Sequence, residues 1–206
     1  MNEPAAHHPA PRCGLILLAA GASTRMGRPK QLLEFEGRPM IVRAVDAALA
    51  GGVWPVIVVL GAHAEEIRPR LARHPVLVVE NEAWSEGMAS SIRTGVQTLE
   101  QFSRAMDGVV LALCDQPHFS PAAIDALRQT QGRTGATIVA ARYEGHAGPP
   151  ALFLRPHFPA LAALTGEQGA RTLIIENPAA VAHIDLPELA QDLDTPADFD
   201  ALTRRG

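Results

Sequence analysis

Short apolar runs rich in Val, Leu and Ile recur along the chain, at Gly14 to Ala20, Val56 to Leu60, Val76 to Val79, Val109 to Leu113 and Thr137 to Ala141. None alternates apolar with polar positions, which is the pattern of strands covered on both faces. Between the runs, apolar residues fall at helical spacing. Pro39 to Ala50 places Ile41, Val42, Val45, Ala48 and Leu49 on one face, with Pro39 suited to a first turn and Gly51 to the exit. Met88, Ile92, Val96 and Leu99 repeat the period, and Ser120-Pro121 reads as an N-cap and first helical residue ahead of Ile124 and Leu127. Strands alternating with helices predict an α/β fold around a mostly parallel sheet.

The rhythm changes after about residue 145. Gly145, Gly148, Pro149 and Pro150 form a cluster of breakers, followed by a short strand over Ala151 to Leu154, a helix over Ala170 to Glu176 and a strand over Val181 to Leu186. This predicts an insertion or edge region on the same sheet. No repeat or domain-separating linker is visible, and 206 residues suit one domain. Residues 1–12, with Pro4, Pro9, Pro11 and the solvated pair His7 and His8, read as a disordered lead-in to a single domain over 13–206.

Composition narrows the classes. Apolar residues at 47% and charged ones at 19% fit a globular protein, and aromatics at 4% make its core aliphatic. A net charge of −4 gives no global basic surface, the footprint a nucleic-acid partner would leave, though it allows local positive charge. No apolar stretch reaches the roughly 18 residues of a membrane span, and the first twelve residues lack the apolar core of a signal peptide, so a soluble cytoplasmic protein with no membrane partner is expected. Cys13 and Cys114 show no zinc-ligand spacing and sit in apolar runs as buried small hydrophobes.

Among the 18 basic residues, 17 are Arg and one is Lys, at Lys30. It lies in the loop after the first strand, the usual phosphate site of an α/β sheet. Gly21 and Gly27 there are too far apart for a Walker A loop, and no GxGxxG is present. The loop nevertheless combines glycines, the hydroxyls of Ser23 and Thr24, and three cations, Arg25, Arg28 and Lys30, with nothing acidic before Glu34. That chemistry suits a triphosphate. Asp115 follows the strand ending near Cys114 and so emerges beside this loop, where a hard oxygen ligand can hold Mg2+ against phosphates.

The segment LAAGASTRMGRPKQLL, residues 18–33, resembles the signature of the MobA-like NTP transferase domain family, and within it the molybdenum cofactor cytidylyltransferases. Further segments agree in order: the run from Asn81 through Trp84, Gly87, Ser90 and Ser91 to Gly95; Leu113-Cys114-Asp115-Gln116-Pro117; Gly166 to Arg171; and Asp192 to Asp198. Gly148-Pro149-Pro150 and Glu167 depart from the more usual pattern. The resemblance implies a Rossmann-like three-layer sandwich of the nucleotide-diphospho-sugar transferase type. It implies CTP and molybdopterin, or molybdenum cofactor, as substrates, Mg2+ as cofactor, pyrophosphate as product, and transient contact with a molybdenum hydroxylase or its chaperone.

By the same resemblance, Arg25, Lys30 and Asp115 are catalytic. Leu18, Ala19, Ala20, Gly21, Ser23, Gly27, Asn81, Ser90 and Ser91 join them in binding nucleotide, with Gly87 giving the Ser90 segment mobility. Asp115 and, by analogy with sugar nucleotidyltransferases, Asp194 in preference to Asp192 hold the metal, and Arg171 contacts substrate phosphate. Ala20, where the guanylyl branch usually has Gly, implies CTP over GTP. The residues themselves leave other readings open: a plain turn with solvated cations at 21–30, a turn-forming Asp115, capping by Ser90 or Ser91, packing for Trp84, and surface roles for His118 and the other single histidines. Three rival functions also stay open, namely a transferase of the same fold acting on a sugar or alcohol phosphate, a nicotinamide-dependent oxidoreductase, and a non-catalytic cofactor chaperone.

Overall fold

In the computed structural model the chain runs β1 (Cys13–Ala19), a hairpin of β2 (Glu34–Phe35) and β3 (Arg38–Pro39), α1 (Met40–Ala50), β4 (Val56–Leu60), α2 (Ala64–Ile67), β5 (Leu77–Glu80), α3 (Met88–Phe102), β6 (Gly108–Leu113), α4 (Pro121–Thr134), β7 (Ile138–Tyr143), β8 (His146–Leu154), α5 (Phe158–Ala162), α6 (Ala170–Glu176), β9 (Val181–Asp185) and α7 (Pro196–Thr203). The structure describes residues 11–191, 193 and 195–203. Each apolar run of the sequence became a strand of one seven-stranded sheet, ordered β5-β4-β1-β6-β8-β7-β9. All its strands are parallel except β8, which runs against both neighbours.

β1 shows why the runs lack alternation. Leu15 and Leu17 face α1 and α4, in a cluster with Met40, Ile41, Val45, Ile124 and Leu127. Ile16 and Leu18 face the other way, against Ile92, Val96 and Leu99 of α3 and Phe158 and Leu161 of α5. Helices on both faces give the Rossmann-like three-layer sandwich, and each buried aliphatic side chain adds about 1.5–3 kcal/mol of transfer free energy. Cys13 and Cys114 are buried as expected. Burial pushes the Cys13 thiol up to about 12. Among the described residues no helix is long and apolar enough to cross a membrane.

The region after 145 differs from its reading. The breaker cluster lies inside β8, so the strand begins at His146 instead of Ala151 and sits within the sheet, between β6 and β7. The prolines are accommodated by a bulge: Ala140 pairs with Ala151 but Ala141 with Gly148, leaving Pro149 and Pro150 outside the ladder, where a missing N–H breaks no pairing. The helix over Ala170–Glu176 forms as expected, and β9 closes the sheet edge. Residues 1–10 lie outside the described residues. Arg12, grouped above with the lead-in, is held in place: its backbone N and its Nε each donate to Asp107 Oδ2, at 2.9 and 3.0 Å.

Candidate active site

The parallel strands β1, β4, β5 and β6 all end at one edge of the sheet, and a cleft of about 320 Å3 opens there. Its floor is Leu18 to Ala22, one wall is Trp84, Gly87, Met88 and Ser91, and the other is Leu113, Cys114 and Asp115, with Lys30, Gln31 and Glu167 completing the lining. Leaving β1, the chain turns tightly: Met26 N and Gly27 N both donate to Ser23 O, and Ser23 itself takes a left-handed φ of 54°. A serine held there stores strain, which the surrounding bonds must maintain. Its hydroxyl oxygen accepts from Lys30 N at 3.1 Å and the hydroxyl donates to Gln31 Oε1 at 3.4 Å, closing the loop on itself.

The carbonyl groups of this loop are occupied in sequence. Gln31 Nε2 donates to Ala19 O and to Gly21 O, both at 2.9 Å. Ala62 N donates to Ala20 O at 3.1 Å, and the ring Nε2 of His63 meets Ala22 O at 3.0 Å. Four successive carbonyl dipoles are thereby tied to the protein behind the loop, which removes the partial negative charge that would oppose an anion. Gln31, only 1% exposed, and His63 were not singled out from the sequence. Nothing local marks them, because their partners lie 10 to 41 positions away.

Across the cleft Asp115 forms an ion pair with Lys30 through Oδ2. The second oxygen, Oδ1, is buried and has no hydrogen-bond partner among the described residues. A buried carboxylate oxygen without a donor is costly unless a cation completes it, so the donor chemistry fits a hard divalent ion. Leu193 N donates to Asp115 O at 3.2 Å, anchoring the C-terminal segment beside the site. Asp194, expected as a second ligand, and Asp192 lie outside the described residues. Among the described residues no cluster of three metal-ligating side chains is found; Mg2+ characteristically takes one or two carboxylates and completes its shell with phosphate and water. Cys114 lines the cleft, yet burial raises its thiol pKa, the charge of Asp115 adds to that, and the nearby Lys30 only partly offsets it. It is no nucleophile.

Leu18, Ala19, Ala20, Gly21, Lys30, Ser91 and Asp115 line the cleft together. Ser23 and Gly27 shape the loop behind it, and Arg25 is exposed on that loop. Arg28 packs over the Phe199 ring of α7, 5.6 Å from its centroid. Asn81 and Ser90 are interior: Asn81 Nδ2 donates to Ser90 Oγ at 2.7 Å and Ser91 Oγ at 3.0 Å, tying the end of β5 to the start of α3. Gly87 is pinned where mobility was expected. Its φ is 108°, a Cβ there would stand 2.4 Å from Gly166 O, and Ala89 N donates to that same carbonyl. Trp84 is 37% exposed at the rim, against Gly61, whose missing side chain leaves room for both Trp84 and Ala20.

His118 is exposed, stacked edge-on to Phe35, with Nε2 3.4 Å from Gln191 Oε1. Arg171, in the first turn of α6, donates from a guanidinium nitrogen to His146 Nδ1 at 3.2 Å and so sits beside the β7–β8 turn. Gln116, absent from the expected set, donates from Nε2 to Tyr143 Oη and Pro149 O, joining the end of β6 to the same hairpin.

The MobA-like NTP transferase domain matches residues 15–183. The chain belongs to that family. A nicotine blue oxidoreductase of Paenarthrobacter nicotinovorans is similar to this MobA-like chain, 34% identical over 87% of it and 91% of the relative. The purine catabolism protein PucB of Bacillus subtilis is 29% identical over 92% of the chain and 95% of its own length. Among solved structures, Rv0371c of Mycobacterium tuberculosis is 29% identical with a TM-score of 0.82, covering 95% of this chain and 100% of that one, and a manganese complex of Rv0371c also matches. The Rossmann-like nucleotidyltransferase fold of the MobA-like family is thus the fold of this protein, and nucleotidyl transfer is its class of chemistry.

Proposed function

We propose that this MobA-like chain is a cytidylyltransferase that moves CMP from CTP to the terminal phosphate of molybdopterin and releases pyrophosphate. The observation that carries the reading is the Lys30–Asp115 pair in a cleft whose floor carbonyl groups, Ala19 to Ala22, are held back. An acceptor phosphate oxygen attacks the α-phosphorus, a new P–O bond forms, and the bond to the bridging oxygen breaks so that pyrophosphate leaves with its electron pair. Such a displacement needs alignment and charge neutralisation more than a covalent nucleophile, in keeping with the unreactive Cys114. The loop backbone and Lys30 hold the triphosphate, Arg25 approaches from the loop, and Ser91, kept in place by Asn81, meets the ribose or base. Asp115 and, by the family resemblance, Asp194 would hold a magnesium ion, which would supply positive charge against the phosphates; the manganese complex of Rv0371c supports a divalent metal in this family.

Ala20, which lines the cleft, supports CTP by the family resemblance, since the guanylyl branch usually has Gly at this position. The acceptor enters from the β7–β8 side, where Arg171 offers a cation, and the dinucleotide product passes to a molybdenum hydroxylase or its chaperone. Purified protein incubated with Mg2+, molybdenum cofactor and either CTP or GTP tests this: pyrophosphate release is expected with CTP, and release with GTP alone overturns the assignment.

A nicotinamide-dependent oxidoreductase is the second reading, favoured by the likeness to nicotine blue oxidoreductase. It expects NAD(P)H binding and metal-independent turnover, both absent under the first reading.

A further inference from the structure

The ion pair in the cleft sets two demands of the proposed chemistry against each other. Lys30 has to reach a phosphate and Asp115 has to hold a metal, yet the two side chains are ion-paired with each other. The two side chains are 20% and 16% exposed, so water screens their attraction only in part. The ammonium occupies the Oδ2 side of the carboxylate, while Oδ1 is buried without a partner. With Oδ1 buried, Oδ2 is the oxygen a cation reaches from the cleft, and there the protein sets its own ammonium.

We infer that Lys30 is an internal place-holder for the metal: it keeps free divalent ions off Asp115 until a nucleoside triphosphate enters, then hands the carboxylate to the metal as its ammonium moves to a phosphate. This rests on the nucleotidyl-transfer reading of the cleft, though not on the identity of the acceptor. The root of the side chain is fixed, since Lys30 N is bound to Ser23 Oγ and the next residue, Gln31, is buried and bonded to the loop. Only the flexible stem has to swing, and an ammonium with three rotatable donors can leave one oxygen for another without losing a planar fit. Throughout the exchange Asp115 faces a cation, so no step leaves its charge uncompensated. The chain's single lysine therefore stands where a mobile point charge is needed.

Mn2+ serves as the probe, its binding followed by electron paramagnetic resonance of the free ion. Wild type, Lys30→Met and Lys30→Met/Asp115→Asn are compared with and without the non-hydrolysable α,β-methylene analogue of CTP. Without nucleotide, Lys30→Met is expected to bind Mn2+ at least about tenfold more tightly than wild type. The double variant loses that gain, and the analogue raises the affinity of wild type. Equal Mn2+ affinity in wild type and Lys30→Met overturns the place-holder, as does a gain that survives Asp115→Asn. Failure of wild type to bind the analogue at any Mn2+ concentration instead overturns the nucleotide reading and the hand-over with it. Lys30→Gln repeats the comparison if the apolar variant does not fold.

Discussion

Gln31 reaches back ten positions to Gly21, its Nε2 donating to the glycine carbonyl at 2.9 Å while sharing its protons with Ala19 O. Gln31→Glu removes both donors and places a buried negative charge beside the loop. Leaving a buried acceptor unpaired costs about 1–3 kcal/mol. We expect a lower urea midpoint and a rise in KM for nucleotide of roughly tenfold or more, with kcat less affected. Unchanged KM in pyrophosphate-release assays would show that the carbonyl tethers do not shape the nucleotide site.

Lys30→Arg keeps the charge but replaces a point donor with a planar fork that can grip Asp115 through two nitrogens. Turnover is expected to fall by roughly 10²- to 10³-fold, the scale of losing one transition-state contact. Tm should stay nearly constant, because the ion pair is retained. Near-normal turnover would mean that the lone lysine is an accident of composition.

Gly87→Ala tests the junction between α3 and the 166–170 segment. The new methyl meets the Gly166 backbone at a φ of 108°, a conformation that side chains rarely adopt. A loss of about 1–3 kcal/mol in urea unfolding is expected. A loss below that range would mean the segment yields and Gly87 is not a fixed point.

Ala20→Gly tests whether this floor residue of the cleft selects the base under the proposed reading. The ratio of kcat/KM for CTP over GTP should fall, mainly through improved use of GTP. If the ratio holds, base selection lies elsewhere.

His157 gives the fold a pH dependence. Burial lowers its pKa from the usual 6.5, and its Nε2 lies 2.9 Å from Thr137 Oγ1. The unfolded chain takes up the proton first on acidification, so this group supports folding fully above pH 6.5 and loses that support as pH falls toward its folded value. Tm should drop as the pH falls below about 6.5, and His157→Gln should flatten that slope. Identical slopes in the two proteins would remove His157 as the cause.

The strands, the main helices and the ligand edge were legible because they follow from local patterns. Val56 to Leu60 can only be a covered strand, and Thr195-Pro196 with Asp198 does form a capping box, Asp198 Oδ2 accepting from Thr195 N at 2.7 Å. Lys30 stood out as the single lysine, in a loop of glycines and cations, and Asp115 as a charge directly after an apolar strand. Asn81 and Ser90 show the opposite case. Small polar residues near a ligand motif read alike whether they face a ligand or, as here, one another in the interior. Pro149 and Pro150 hid the start of β8, because the bulge that admits them exists only once β7 lies alongside.

The reversed direction of β8 carries a consequence for how this scaffold diversifies. Since β7 arrives at the cleft edge of the sheet and β8 departs from it, the turn at Glu144 and Gly145 stands at the same sheet edge as the loop after β1, with Tyr143, Gln116 and Pro149 bracing its base. The cleft lining comes from the first strand and its loop, the β5–α3 connection and the end of β6, so the β7–β8 turn stands outside it, farther along the same sheet edge. Residues can be added to or removed from that turn without shifting β1, β6 or Lys30. Under the proposed function, changes in the length of that turn would retailor the acceptor side and leave the phosphate-binding half in place.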